Sequence, residues 1–125
     1  MLSSKEYAAY IGKLGEDKTV EFLKSQGCII IKRNWRDRYG ELDIVADDGK
    51  NIIFVEVKTR SENSWVSGID AMDVGKITRT RNAAMMFMKR LRSTLPPRID
   101  VAEVIIKKQE DGTLKGSINY IKNAI

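Results

Sequence analysis

The sequence predicts an α/β fold: a mixed β-sheet flanked by helices, with element order roughly αβββαββ. Three observations lead there. Two stretches, residues 4–26 and 74–92, carry apolar side chains at helical spacing. Several shorter runs are β-branched or alternate apolar with polar. Asp48-Gly49 and Asp111-Gly112 supply turn signals between such runs.

Ser3 or Ser4 can cap the first helix, and Gly27 stops it just past Gln26. Ala8, Ile11, Gly15, Thr19 and Phe22 fall on one face, which would pack on the sheet, with Glu16 at its edge. Gly12 and Gly15 each cost about 1 kcal/mol against Ala in a helix interior, so they predict close approach to another backbone. Residues 28–33 read as the first strand, followed by the polar and aromatic stretch Asn34-Trp35-Arg36-Asp37-Arg38-Tyr39.

The second and third strands, residues 40–46 and 52–60, are the most informative pair. A two-residue turn at Asp48-Gly49 sets Glu41 opposite Glu56 and Asp43 opposite Phe54. A four-residue loop sets Asp43 opposite Glu56. In both registers the period of two puts Glu41, Asp43, Glu56 and Lys58 on one face.

Residues 61–73, rich in Ser, Asn and Gly, read as an irregular loop. The second helix has Ile77, Ala84, Phe87, Met88 and Leu91 as its core stripe. Lys76, Arg79, Arg81, Lys89, Arg90 and Arg92 form its cationic outer part. Pro96-Pro97 ends any continuation. Residues 98–106 alternate as a fourth strand, and residues 117–121 form a fifth.

The 125 residues, 42% hydrophobic, suit a single domain spanning 1–125. Lys and Arg number 22 against 17 Asp and Glu, a net charge of +5 that favours a polyanionic partner. With Cys28 alone there is neither an internal disulfide nor a Cys-rich zinc site. The absence of histidine removes His-based triads, bases and metal ligands together. No signal-peptide core or membrane-length apolar run is present, so the expectation is a soluble cytoplasmic protein without a membrane partner.

Three carboxylates within ~4–6 Å would repel by roughly 3–4 kcal/mol per pair at an effective dielectric of 20. Lys58 can neutralise one, and a hard divalent cation such as Mg²⁺ can take the remainder, a set suited to phosphodiester hydrolysis. The alternative is a solvated sheet face. Against it, Ile53, Val55 and Val57 are apolar on one side of the third strand while Ile52 and Phe54 are apolar on the other.

Gly15-Glu16, Arg33-Asn34-Trp35-Arg36, residues 40–46, residues 54–60 and Lys76 together resemble the bacterial YraN-like family. Its members are predicted to have the restriction-endonuclease-like fold and to be similar to archaeal Holliday junction resolvases. The resemblance runs from about Ile11 to Ala124. It implies a PD-(D/E)xK site in which Asp43, Glu56 and the Val57 carbonyl hold Mg²⁺ or Mn²⁺ and Lys58 orients the attacking water. Glu16 would reach in from the first helix. Glu41 belongs to the family motif as ligand, supporting residue or strand-edge charge. Leu42 stands where the superfamily's proline would be, and Asp37 where the family often has Cys. The implied activity is a metal-dependent endonuclease acting on structured, branched DNA; a non-catalytic nucleic-acid-binding module is the alternative, and an assembly factor a third. Two symmetric sites would suit a junction, so the resemblance also allows a homodimer.

DNA contacts are expected from Arg33, Trp35, Arg36 and Arg38, where cations interleave with aromatics, and from Arg60, Lys76 and Arg79. Ser64 and Trp65 could join them. Trp35 has an equally good core reading.

Overall fold

A computed structural model describes residues 2–61 and 74–125. The expected loop contacts Ser64 and Trp65 lie outside the described residues. The element order is α1 (Ser4–Ser25), β1 (Ile29–Asp37), β2 (Gly40–Asp47), β3 (Ile52–Ser61), α2 (Val74–Arg90), β4 (Pro97–Lys108) and β5 (Leu114–Ile121). This is the expected αβββαββ arrangement.

The strands form one sheet in the order β1-β2-β3-β4-β5. β3 and β4 are parallel, which a hairpin cannot achieve, so α2 lies within the crossover between them; the other neighbours are antiparallel. Each helix covers one face. Val20 and Leu23 of α1 pack on Ile44, Ala46, Ile53, Val55 and Ala102, while Ile11 packs with Val104 and Ile106. Ala83, Ala84 and Phe87 of α2 pack on Leu42, Val45, Ile52 and Phe54. The alternation of β3 between these two clusters is why its central residues are apolar on both sides.

Ser3 caps α1 in a reciprocal box, accepting from the Glu6 amide at 3.1 Å while Glu6 accepts from the Ser3 amide at 3.2 Å. Gly15 is needed on the buried face: a Cβ there would lie 1.9 Å from the Thr59 hydroxyl of β3. The close neighbour is thus a side chain rather than backbone. Gly12 differs from expectation, since a Cβ there meets nothing within 4 Å. Ala8 is also exposed, and Val20 and Leu23 complete the buried face instead.

Of the two registers open for β2 and β3, the four-residue loop is found, with Asp47 opposite Ile52. Asp48 organises that loop, its carboxylate accepting from the amides of Lys50 and Asn51 at 2.9 and 2.7 Å. β1 runs further than expected, through Asn34-Trp35-Arg36-Asp37. The polar stretch misled because half-buried and exposed residues alternate along an edge strand without an apolar run.

Candidate functional site

The paired residues of β2 and β3 run from Asp47 and Ile52 to Ile44 and Val55 and go no further. Beyond that point the Val57 amide donates to Asp43 Oδ2 at 2.8 Å. Amide and carbonyl of one strand residue point to the same side, so the Val57 carbonyl also faces this gap. Asp43 replaces a ladder partner with a carboxylate.

The chain turns over at the same place. Ile44 and Ala46 pack toward α1 as alternation requires, yet Leu42 and Val45, three residues apart, both pack toward α2. Next to Asp43 on β1, Asn34 has φ 53°. Arg33 on one side of it reaches Glu16 and Asp17 of α1, and Trp35 on the other stacks edge-to-face on Phe87 of α2. Asn tolerates the left-handed region better than most residues that carry a side chain. A strict period of two therefore fails here.

This overturns the expectation of three clustered carboxylates on one face. Among the described residues no group of three Asp, Glu or Cys side chains is placed to hold a metal. Glu41 pairs instead with Arg36 at 2.6 Å on the outside, with the two side chains 55% and 78% exposed. Glu56 faces α2 and is 4% exposed. Its Oε1 meets Lys76 Nζ at 2.7 Å and Lys58 Nζ at 3.4 Å. Lys76 is accordingly turned into the site and is not part of the outer cationic face of α2. A helix wheel could not reveal this, because residue 76 lies beside the apolar stripe and its neighbour Glu56 comes from another element.

The site opens on two sides. Gly12, Glu16, Asp43, Val57, Lys58 and Thr59 line a cleft of about 360 Å³ on the α1 side. On the α2 side a cleft of about 350 Å³ includes Arg36, Arg38, Glu41, Glu56, Lys76 and Arg79. Gly40, with φ 154°, admits α2 here: a Cβ would stand 3.0 Å from the Arg79 carbonyl.

Electrostatics separate the titrating groups. Burial and the neighbouring Glu56 push Asp43 up to about 7, Glu16 adding to this while the Val57 amide and Lys76 oppose it. Burial and the adjacent Lys76 amine hold Lys58 below its ordinary value, against the pull of Glu56. Burial also acts to lower Lys76, but hydrogen bonds to Glu56 and Lys58 outweigh it and hold the ammonium above its ordinary value.

Several expected DNA contacts have internal duties. Arg33 donates to Glu16 at 2.9 Å and to Asp17 at 2.6 Å, and the bond to Asp17, with Glu16, raises its pKa. Glu16 also accepts from Asn34 at 3.0 Å, so it faces the cleft while anchored to β1. Trp35 takes its core reading, with Phe87 on its edge and the Arg90 guanidinium 5.5 Å from its ring centre. Arg60 pairs with the buried Glu103 at 3.2 Å. Arg38, over the Tyr39 ring, and Arg79 are exposed at the α2-side cleft. Neither Asp17 nor Asn34 was given a role from sequence; a polar Asn inside a strand was the available signal for the second.

The architecture and the diverging β2/β3 pair define an α/β protein with a restriction-endonuclease-like core. The chain belongs to the UPF0102 family, also called YraN: the model of that uncharacterised protein family matches residues 15–104, a span containing every expected site residue. It is 40% identical over 114 residues to a UPF0102 protein of Bacteroides thetaiotaomicron, covering 91% of this chain and 90% of the relative. A UPF0102 protein of Syntrophomonas wolfei is 37% identical over 115 residues, covering 91% and 96%. One of Mycolicibacterium vanbaalenii is 37% identical over 109 residues, covering 86% and 90%. Among the described residues no helix is long and apolar enough to cross a membrane.

Proposed function

We propose that the protein is a metal-dependent endonuclease-like enzyme that hydrolyses phosphodiesters in structured DNA. The observation carrying this reading is the pairing of Asp43 with the Val57 amide where β2 and β3 part, beside Glu56 and Lys58. That arrangement supplies two carboxylates and the gap-facing Val57 carbonyl, an all-oxygen donor set that fits Mg²⁺ or Mn²⁺ with the remaining positions left to water and phosphate. The buried Asp43 carboxylate fits a cation too, since its ionisation is costly without one. When bound, the ion would act as a Lewis acid on the phosphate and offset the charge that develops there.

Lys58 is the group that holds and orients the attacking water. Its lowered pKa eases acceptance of the water's proton as the new oxygen–phosphorus bond forms and the bond from phosphorus to the DNA's leaving sugar oxygen breaks, that oxygen taking a proton from solvent water. Glu16, fixed by Arg33 and Asn34, bounds the water's side of the cleft. Arg38 and Arg79 offer phosphate contacts on the other side.

Purified protein is tested with Mg²⁺ or Mn²⁺ on branched, flapped, single-stranded and duplex DNA, beside Asp43→Asn, Glu56→Gln and Lys58→Met. Cleavage by the wild type and a loss of roughly a hundredfold or more in each variant is expected, as for removal of a metal ligand or general base. A wild type that cuts none of these substrates overturns the enzyme reading.

A second reading, a nucleic-acid-binding module without turnover, is favoured by one observation: Glu56 is already matched by two lysines. Binding that weakens steeply with salt, with no cleavage, would select it.

A further inference from the structure

We propose that Lys76 is a resident counter-cation for the acidic pair, displaced from Glu56 when a divalent metal binds and redirected to the substrate's phosphate. This rests on the metal-site reading above. Lys76 Nζ stands 2.7 Å from Glu56 Oε1, and Glu56 is 4% exposed. An ammonium at that distance occupies the face of the carboxylate where a metal would bind at ~2.1 Å. Two cations within ~4 Å of each other in a half-buried cleft repel strongly, so metal and Lys76 compete for one group.

The charge count points the same way. Asp43 and Glu56 together carry at most two negative charges, and Lys58 and Lys76 can already match them. A divalent ion adds two positive charges and competes with Lys76 for Glu56. The placement of Lys76 gives it somewhere to go. It is the third residue of α2, on the opposite wall from β3, and shares the cleft of about 350 Å³ with Arg38 and Arg79. A phosphodiester entering there offers Lys76 an anion in place of Glu56. Metal and nucleic acid would thus each favour the other's binding, and the free protein would hold metal weakly.

Calorimetric titration of Mn²⁺ into the wild type, Lys76→Met, Lys76→Gln and Lys76→Arg, without DNA, reads the competition directly. The neutral variants should bind the ion at least about tenfold more tightly than wild type, ~1.4 kcal/mol, and Lys76→Arg should stay within about threefold. Adding a phosphorothioate oligonucleotide should tighten Mn²⁺ binding to wild type and change the neutral variants less. Circular dichroism identifies which variants are folded, and either neutral one suffices. Equal or weaker metal binding in a folded neutral variant overturns the counter-cation role while leaving the metal site standing. No binding by wild type or any variant overturns the metal site itself, and the inference with it.

Discussion

The Val57 amide donates to the Asp43 carboxylate at 2.8 Å across the point where β2 and β3 cease to pair. That single bond cannot offset the cost of burying Asp43 beside Glu56, and the carboxyl is pushed up to about 7. A raised acid binds its proton more tightly when folded. Its contribution to stability is therefore complete below the unfolded value near 3.8 and is lost as pH rises to about 7, then levels off. Asp43→Asn keeps an acceptor for Val57 without the charge. Urea titrations from pH 4 to 8 should show the variant gaining on wild type across that window, by roughly 2 kcal/mol at pH 8 after allowance for water in the cleft. Parallel curves for the two proteins would refute the assignment.

Gly12 and Gly15 lie three residues apart on α1 and should respond in opposite senses. Gly12 is exposed with open space at its Cβ, so Gly12→Ala gains helix propensity and should stabilise by about 0.5–1 kcal/mol. Gly15→Ala drives a methyl into Thr59 and should cost about 1–3 kcal/mol. Thermal melts of the two variants check both signs.

How much of this was legible depended on whether one element or two decided the outcome. The cap of α1, the two covered faces of β3 and the element order follow from local residue chemistry and periodicity, and they were readable. The register of β2 on β3 was half readable, because the turn offered only two and one of them is found. What failed was the assumption of unbroken alternation through Asp43. The turnover there depends on Asn34 in the neighbouring strand, a left-handed residue that no periodicity in β2 announces. Likewise the inward course of Lys76 depends on Glu56, and Arg33 on Asp17, partners set by packing across elements. Long-range ion pairs between exposed-looking residue types leave no trace in a hydropathy pattern.

Asp100 illustrates the same limit and supports a third prediction. It is fully buried and accepts from Arg98 Nε and Nη2, both at 2.9 Å, from the Tyr120 hydroxyl and from the Asn123 amide at 2.7 Å. Burial and this carboxylate hold the Tyr120 phenol protonated far above its ordinary range. The network ties β4 to the residues after β5. Asp100→Ala leaves Arg98 without its bidentate partner and should cost about 3–5 kcal/mol in urea denaturation, against about 1 kcal/mol for Tyr120→Phe. A cost below ~1 kcal/mol for Asp100→Ala would mean the network contributes little.

The expected DNA contacts divide by what each arginine already touches, and this yields the last prediction. Arg38 and Arg79 are exposed at the α2-side cleft, so a phosphate can reach them without breaking a buried ion pair. Arg33 is held by Glu16 and Asp17, and a phosphate would have to displace both. Each phosphate contact releases condensed counterions, so losing one flattens the dependence of log K on log salt by roughly one unit on duplex DNA. Arg38→Ala and Arg79→Ala should each weaken binding to every DNA tested and reduce that slope, with melting temperature unchanged. Arg33→Ala should instead lower the melting temperature and leave the slope alone, because it detaches α1 from β1 rather than removing a phosphate contact. Fluorescence anisotropy at several salt concentrations, paired with melts of the same preparations, separates the two behaviours. A full slope change in Arg33→Ala with no loss of stability would put the DNA path on the α1 side of the sheet.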